Sequence, residues 1–586
     1  VKTQKVVTFS FSANVERLAI GFLALMSLVP FLVWHHKTPL TSFYPQIAAT
    51  ALGSLAVIVF LTKQHGQHIK LPLVALLPLC LAVLLGVQFS LDMHTYWQQH
   101  FMTVLVLCWA SMMAVVGANL PHSKLAPFLA SAMLLGGYIS FSIVVVQILG
   151  WTDFEFILPH IKGGFAANIA QVNHAATYFA LALVSASYLL LSERINTASW
   201  ITASLLFIVA LVLTGQRMAT LYVLLIAFAG WLIAARGELR LRKGYWLLIL
   251  IPFYLLLNWF LPMLMGDNIH SPIQRLVETA DRESTRLLLL QQAWQIFTEN
   301  PLLGAGWGQF GWQNFQLTEA YPGLSGYADN AHNIVFQLMA ETGVIGSAVF
   351  IIIVALWLFA QRKTALSPER WWILASLAVL GIHSLLEYPL WYAYFLGIAA
   401  LLAGMGEQRA ITANLKTGPL IAAAVLIFST ATITSTIRQY HELEGWYTDG
   451  RRGDIKGQEA VSLLYELAQR RDQSLFAPYF DVIIIRALPN SEEVVKDKLA
   501  MNTQLMRYLP GETEVFSQVD LLLKSGQTEA ASEQLAKAIR HYPEHMDSYW
   551  KSMTRSLITE RDKRYFPLII QLQKYQDDYL GIEDYR

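Results

Sequence analysis

"LPLVALLPLCLAVLLGVQF", Leu71 to Phe89, runs without a charged residue for the length an α-helix needs to cross the hydrocarbon of a bilayer, about 20 residues. Lipid offers no water to satisfy backbone N–H and C=O groups, so such a run must close its hydrogen bonds on itself, as a helix. Comparable runs flank it: Val15 to Trp34 and Tyr44 to Leu61 before it, then Phe101 to Ala118, Ala126 to Leu149, Ala175 to Leu191, Trp200 to Gly215, Met218 to Ala235 and Tyr245 to Met265. After a long polar interval come Val344 to Ala360, Trp371 to Leu386, Trp391 to Met405 and Pro419 to Ile437. A chain of 586 residues, 55% hydrophobic and only 14% charged, is therefore predicted to be all-α, a polytopic membrane helical bundle of about 13 spans.

Short loops rich in Lys and Arg stay on the cytoplasmic side. With the N-terminus inside, alternate loops hold Lys63 and Lys70, then Lys124, Arg194, the group Arg236, Arg240, Arg242 and Lys243, then Arg362, Lys363 and Arg370, and finally Arg409 and Lys416. The short loops between them hold only Lys37, Lys162 and Arg217. A missed or invented span would break this alternation partway, so its persistence supports the span count. The first span, behind Lys2, Lys5 and Arg17, reads as a retained anchor and not as a cleaved signal.

The organisation expected is a membrane bundle over 1–265, an outer loop over 266–333, a second membrane bundle over 334–437 and an outer soluble helical domain over 438–586. In the loop, Ser284 is the expected N-cap of an amphipathic helix carrying Leu287, Leu288, Trp294 and Phe297, ended by Asn300-Pro301. In the tail, charged residues return to soluble frequency and helical periodicity marks Gln458 to Arg470, Ser491 to Arg507 and Glu514 to Lys524. Gly526 to His545 adds a tetratricopeptide-like element ending in Pro. Cys80 and Cys108 sit in apolar runs as small buried hydrophobes, with no disulfide or metal pattern. A net charge of +1, averaged over compartments, gives no sign of nucleic acid. No metal and no cofactor are expected.

Polar groups at membrane depth are costly and are suspects for function. They gather at the outer ends of the spans: Gln171, Asn173 and His174; Gln216 and Arg217; His332 and Asn333; His383, Glu387 and Tyr388. In "YADNAHNIVFQLMAETGVIG", Tyr327 to Gly346, Asp329 or Asn330 is the expected cap of a short helix ended by Gly343, with His332 in its first turn. There a neutral imidazole is favoured and can accept a proton; the alternative is a histidine that only caps or bonds the loop. His383 and Glu387 are expected on one helix face, and Glu341 either supports the site or pairs with a buried donor. Trp391 and Tyr394 are assigned to an interfacial aromatic belt and Tyr388 to a functional role, with the same belt as the alternative for it.

Arg217 keeps its charge and binds phosphate in bidentate fashion at a boundary that otherwise avoids cations. Arg286, or the nearby Arg275 and Arg282, is placed to join it, unless it is simply solvated. The glycines of "NPLLGAGWGQF", Asn300 to Phe310, lack the strand and GK[ST] of a phosphate loop, so they are read as permitting a tight backbone path past a substrate or a neighbouring helix.

"NPLLGAGWGQF", "AHNIVFQLMAETGVIG" and "HSLLEYPLWYAYF" together resemble the signature segments of bacterial protein O-oligosaccharyltransferases of the PglL type, relatives of O-antigen ligase and O-antigen polymerase. The motif-bearing region runs from about Gln171 to Tyr394. The resemblance implies a glycosyltransferase of the bacterial inner membrane that moves a preassembled oligosaccharide from undecaprenyl pyrophosphate to Ser or Thr of a pilin or other periplasmic protein. It implies His332, Gln171 and Tyr388 as required residues and Arg217 and Arg286 as holders of the lipid pyrophosphate; Asn333, His383, Glu387 and Glu341 are candidate supports by their position at the same span ends. The alternatives are an O-antigen ligase or polymerase acting on a glycan or lipid A core acceptor, and a transporter of the lipid-linked glycan. The transporter predicts internal repeats and midplane polar groups that the chain lacks.

Overall fold

A computed structural model describes residues 11–64, 66–151, 153–160, 163–236, 239–265, 280–449, 458–487, 495–559 and 561–583. Membrane-type helices come first: α1 (Phe11–Met26), α2 (Phe43–Thr62), α3 (Leu76–Ser90), α4 (Trp97–Asn119), α5 (His122–Ile148), α6 (Val172–Leu191), α7 (Thr197–Leu213), α8 (Met218–Ala234) and α9 (Leu250–Met265). The loop contributes α10 (Ala280–Glu299) and α11 (Phe310–Gln316). Then follow α12 (Ile334–Gln361), α13 (Pro368–Leu386), α14 (Ala393–Met405) and α15 (Gly418–Asp449). The tail holds α16 (Gln458–Gln473), α17 (Ala477–Ala487), α18 (Val495–Met506), α19 (Glu512–Lys524), α20 (Thr528–His541), α21 (Met546–Thr559) and α22 (Phe566–Glu583).

Each predicted span overlaps a helix, although Leu71 and Pro72, the start of the third, belong to a strand. Among the described residues nine helical segments are long and apolar enough to cross a membrane, and α7, α8 and α14 are shorter apolar helices. The chain is thus an all-α polytopic membrane protein. Outward faces are apolar, as lipid contact requires: on α3, Leu76, Leu79, Val83 and Val87 form one exposed stripe. Cys80 lies exposed on this helix and is not the buried thiol expected.

The chain divides into two compact units. The first takes in Val1–Ala82, Val104–Ala280 and Ala348–Ile437. Its axis is α6, which packs against α5, α7, α8 and α13 and is buried at every residue from His174 to Leu191. A helix apolar all round belongs in such a place, and several of its polar side chains find partners on neighbouring elements. Ser185 and Ser187 accept from the indoles of Trp372 (3.1 Å) and Trp200 (3.2 Å), and the Tyr178 hydroxyl donates to Ser27 O (3.0 Å).

The basic loops of this unit share one end. Strands β1 (Gln67–Pro72) and β2 (Ala410–Leu415) pair antiparallel, joining the Lys70 loop to the Arg409 loop, with Gln67 opposite Leu415 and Pro72 opposite Ala410. Lys124 pairs with Glu16 at 2.8 Å, Asn119 bonds both backbone groups of Lys70, and Lys243 pairs with Glu193 at 3.3 Å.

The second unit takes in Val83–Thr103, Asp281–Ser347 and Arg438–Arg586. Leu289, Ala293 and Ile296 of α10 pack with Phe310, Leu324, Ala331 and Ala340. Phe315 of α11 enters the tail's core beside Val515, Val519, Leu535 and Ala538. Helix α10 starts at Ala280, ahead of the expected cap Ser284, and stops at Glu299 just before Asn300-Pro301 as read.

Candidate active site

In the first unit, the end opposite the basic loops gathers the loop before α6, the α7–α8 turn and the α13–α14 corner. Phe165 N–H donates to Leu213 O (3.0 Å), and Gly164 fits so closely against Thr214 O and Val172 that a Cβ there would clash. This packing sets Gln171, extended at the N-cap of α6, near the turn in which Gly215 (φ 64°) delivers Arg217 to the start of α8. Gln171 and Arg217 are both half-buried. The corner joins through aromatic rings: His174 lies 4.5 Å from Tyr392, and Tyr392 stacks on Tyr388 at 6.1 Å.

Beneath lie two buried hydrogen-bonded groups. Thr177 Oγ1 lies 2.8 Å from His383 Nδ1 and 2.9 Å from the Tyr222 hydroxyl, and the Tyr394 hydroxyl lies 3.0 Å from His174 Nδ1. His383 is 0% exposed and His174 3%. These side chains brace the end of the bundle. Two expectations are corrected here. Tyr394 is 5% exposed and faces inward to His174, so it is not part of an aromatic belt. Glu387 does not share a helix face with His383, because α13 ends at Leu386 and Glu387 is extended (φ −156°), its N–H donating to His383 O at 2.8 Å.

In the second unit, the polar threshold is a cap. Asn333 Oδ1 accepts from the N–H groups of Val335 (3.0 Å) and Phe336 (3.3 Å), which makes Asn333, not Asp329 or Asn330, the residue that starts α12. His332 therefore precedes the helix and does not lie in its first turn. It is half-buried with φ 52°, a left-handed conformation uncommon outside glycine, and its N–H is held by Asn330 Oδ1 at 2.8 Å. Gln337 reaches back to accept from Ala331 N–H at 2.7 Å. Arg286 is half-buried on α10; Arg275 and the side chain of Arg282 lie outside the described residues.

Deeper, α12 breaks at Gly343 (φ 62°, ψ −160°), where the sequence places a stop. The glycine-rich segment packs into the break. Ala305 N–H donates to Ala340 O and Val344 N–H to Pro301 O, both at 2.8 Å, while Gly304 and Gly343 leave no space for a Cβ. The neighbouring helix is thus what the glycines accommodate. Glu341 pairs with a buried donor, its Oε1 accepting from Phe310 N–H at 3.1 Å. Gln88, an amide at the end of α3, completes the corner by bonding Leu303 O, Glu341 O and Trp307 N–H. A lone amide in an apolar run was the available signal for it. Among the described residues no cluster of three or more His, Cys, Asp or Glu side chains is set to hold a metal.

The O-antigen ligase family model matches residues 202–351, and the model of the C-terminal part of virulence factor membrane-bound polymerases matches residues 371–555. A general O-oligosaccharyltransferase of Acinetobacter baylyi is 23% identical over 550 residues, 90% of this chain and 93% of the relative. A ComP-specific O-oligosaccharyltransferase of the same organism is 24% identical over 276 residues, 45% of this chain and 48% of the relative. Spans, motifs and matches together make this chain a membrane-embedded glycosyltransferase of the O-oligosaccharyltransferase and O-antigen ligase group.

Proposed function

We propose that the protein transfers a preassembled oligosaccharide en bloc from undecaprenyl pyrophosphate to a Ser or Thr hydroxyl of a pilin or another exported protein, on the periplasmic face of the bacterial inner membrane. The observation that carries this reading is the match to a relative named as a general O-oligosaccharyltransferase, which extends over 90% of the chain and so into the soluble tail.

In this reading Arg217 and Arg286 bind the pyrophosphate and stabilise the charge that grows as it leaves. His332 accepts the proton of the acceptor hydroxyl as that oxygen attacks the anomeric carbon. Its left-handed backbone supports the assignment, because strained conformations concentrate at functional sites. Gln171 and Tyr388 orient the sugar or the leaving group, Asn333 caps the helix that follows His332, and Glu341 holds the backbone of the glycine-rich segment at Phe310. His383 and Glu387 act from below by fixing the corner that carries Tyr388.

The two family matches favour one second reading, an O-antigen ligase or polymerase with a carbohydrate acceptor. Purified protein reconstituted with lipid-linked glycan, a pilin and lipid A core separates them by intact mass. Added glycan mass on the pilin is expected; product on lipid A core alone would move the enzyme to the ligase branch.

A further inference from the structure

Within the second unit, the segment between α3 and α4 is clasped by the tail. The Tyr96 hydroxyl donates to Asp481 Oδ2 (2.7 Å), and the Arg471 guanidinium holds both oxygens of the fully buried Asp481, at 2.5 and 3.1 Å. Gln504 Nε2 donates to Thr95 O at 3.0 Å. Beside this clasp lies a cavity of about 260 Å³ whose lining includes His94, Tyr96, Trp97, Gln98, Arg471 and Gln504. Binding cavities for drug-sized ligands start at about 300 Å³, so this one suits a single ring.

Three features set the chemistry of what it holds. Gln98 is 5% exposed and its amide donates to Ser474 O at 3.3 Å, yet among the described residues neither its Oε1 nor His94 Nδ1 has a hydrogen-bond partner. A buried acceptor left without a donor costs about 1–3 kcal/mol, which a ligand hydroxyl would offset. Arg471 is neutralised by Asp481 and by Asp472 at 3.0 Å, so it is not a guanidinium left over to hold an anion. Trp97 is 46% exposed and offers an aromatic face beside these polar groups. Aromatic face, buried acceptor and compensated charge select an uncharged ring rich in hydroxyls.

We propose that this cavity is a saccharide subsite, holding one sugar ring of the transferred glycan against Trp97 with a hydroxyl donated to Gln98 Oε1. The proposal rests on the transferase reading. Its test is binding by the full-length protein in nanodiscs of the oligosaccharide released from its lipid carrier by mild acid, with inorganic pyrophosphate as the competing probe. Trp97→Ala is expected to weaken glycan binding about tenfold and Trp97→Phe to restore part of it, with pyrophosphate failing to compete. In transfer assays Trp97→Ala raises KM for the lipid-linked donor by a similar factor and leaves kcat within about twofold. Gln98→Leu, which keeps volume and removes the acceptor, weakens glycan binding in the same direction. Unchanged glycan binding in Trp97→Ala and Gln98→Leu, or displacement of the glycan by pyrophosphate, would overturn the subsite. Transfer to protein that persists with unchanged glycan binding would refute the subsite alone. Trp97-dependent glycan binding without any transfer to protein would instead refute the proposed acceptor.

Discussion

At the end of the first unit opposite its basic loops, polar residues are held by side chains bonded to side chains, whereas the corner of the second unit is held by backbone and by the absence of side chains. Thr177, His383, Tyr222, His174 and Tyr394 depend on the identity of each partner. The Leu302–Gly308 segment depends on Gly304 and Gly343 being bare enough for two backbones to meet. The contrast teaches that the buried histidines of the first unit act as braces, whereas the proposed function assigns chemistry to the half-buried Arg217, Tyr388 and His332.

The strongest way to break that contrast is to compare two histidines. His332→Ala should lower transfer by about 10²–10⁴-fold with little loss of thermal stability. His383→Ala should cost stability first, through the cavity left in a fully buried site and the lost bond to Thr177, and retain measurable transfer per folded molecule. Equal losses of activity at equal stability would erase the distinction. Next in size, Arg217→Lys should fail to rescue the donor binding lost in Arg217→Ala, since an ammonium cannot reproduce the bidentate fork; donor KM and kcat report it.

A substitution at the glycine corner sharpens the other side. Gly304→Ala places a Cβ against Glu341 at a positive φ and should destabilise the second unit by about 1–3 kcal/mol, read as early proteolysis of the loop in native membranes. Thr177→Val leaves His383 Nδ1 and the Tyr222 hydroxyl without their shared partner, and about 1–2 kcal/mol is the expected cost by thermal unfolding.

The smallest effect concerns pH. Burial raises the Asp520 carboxyl to about 6, against the opposing hydrogen bonds of Tyr549 and Tyr565. The folded tail therefore binds this proton more tightly than the unfolded chain, whose Asp titrates near ~3.9. Stability from this group is present below the unfolded value and is lost as pH rises through about 6. Asp520→Asn should remove that slope, changing the Tm difference between pH 4 and pH 7 by about 2–4 °C.

The spans were legible because an apolar run of membrane length carries its own physics, and the Gly343 break because only glycine enters that conformation cheaply. Asn333 was missed as the cap because Asp329, Asn330 and Asn333 all have cap chemistry and only the backbone decides among them. Tyr394 looked like a belt residue because α14 has no polar face to show which side turns inward. The pairing of Thr177 with His383, and the docking of Tyr96 on Asp481, join residues hundreds of positions apart, and no local pattern records such contacts.

The proposed function requires that Arg217 and His332 meet the periplasm and that the basic loop carrying Arg409 meets the cytoplasm. Single cysteines at Arg217, His332 and Arg409, placed in a chain with Cys80 and Cys108 replaced, can be probed with a membrane-impermeant maleimide in intact spheroplasts. Labelling is expected at 217 and 332, with protection at 409 until the membrane is opened. Labelling of 217 and 332 from opposite sides would contradict the proposed function.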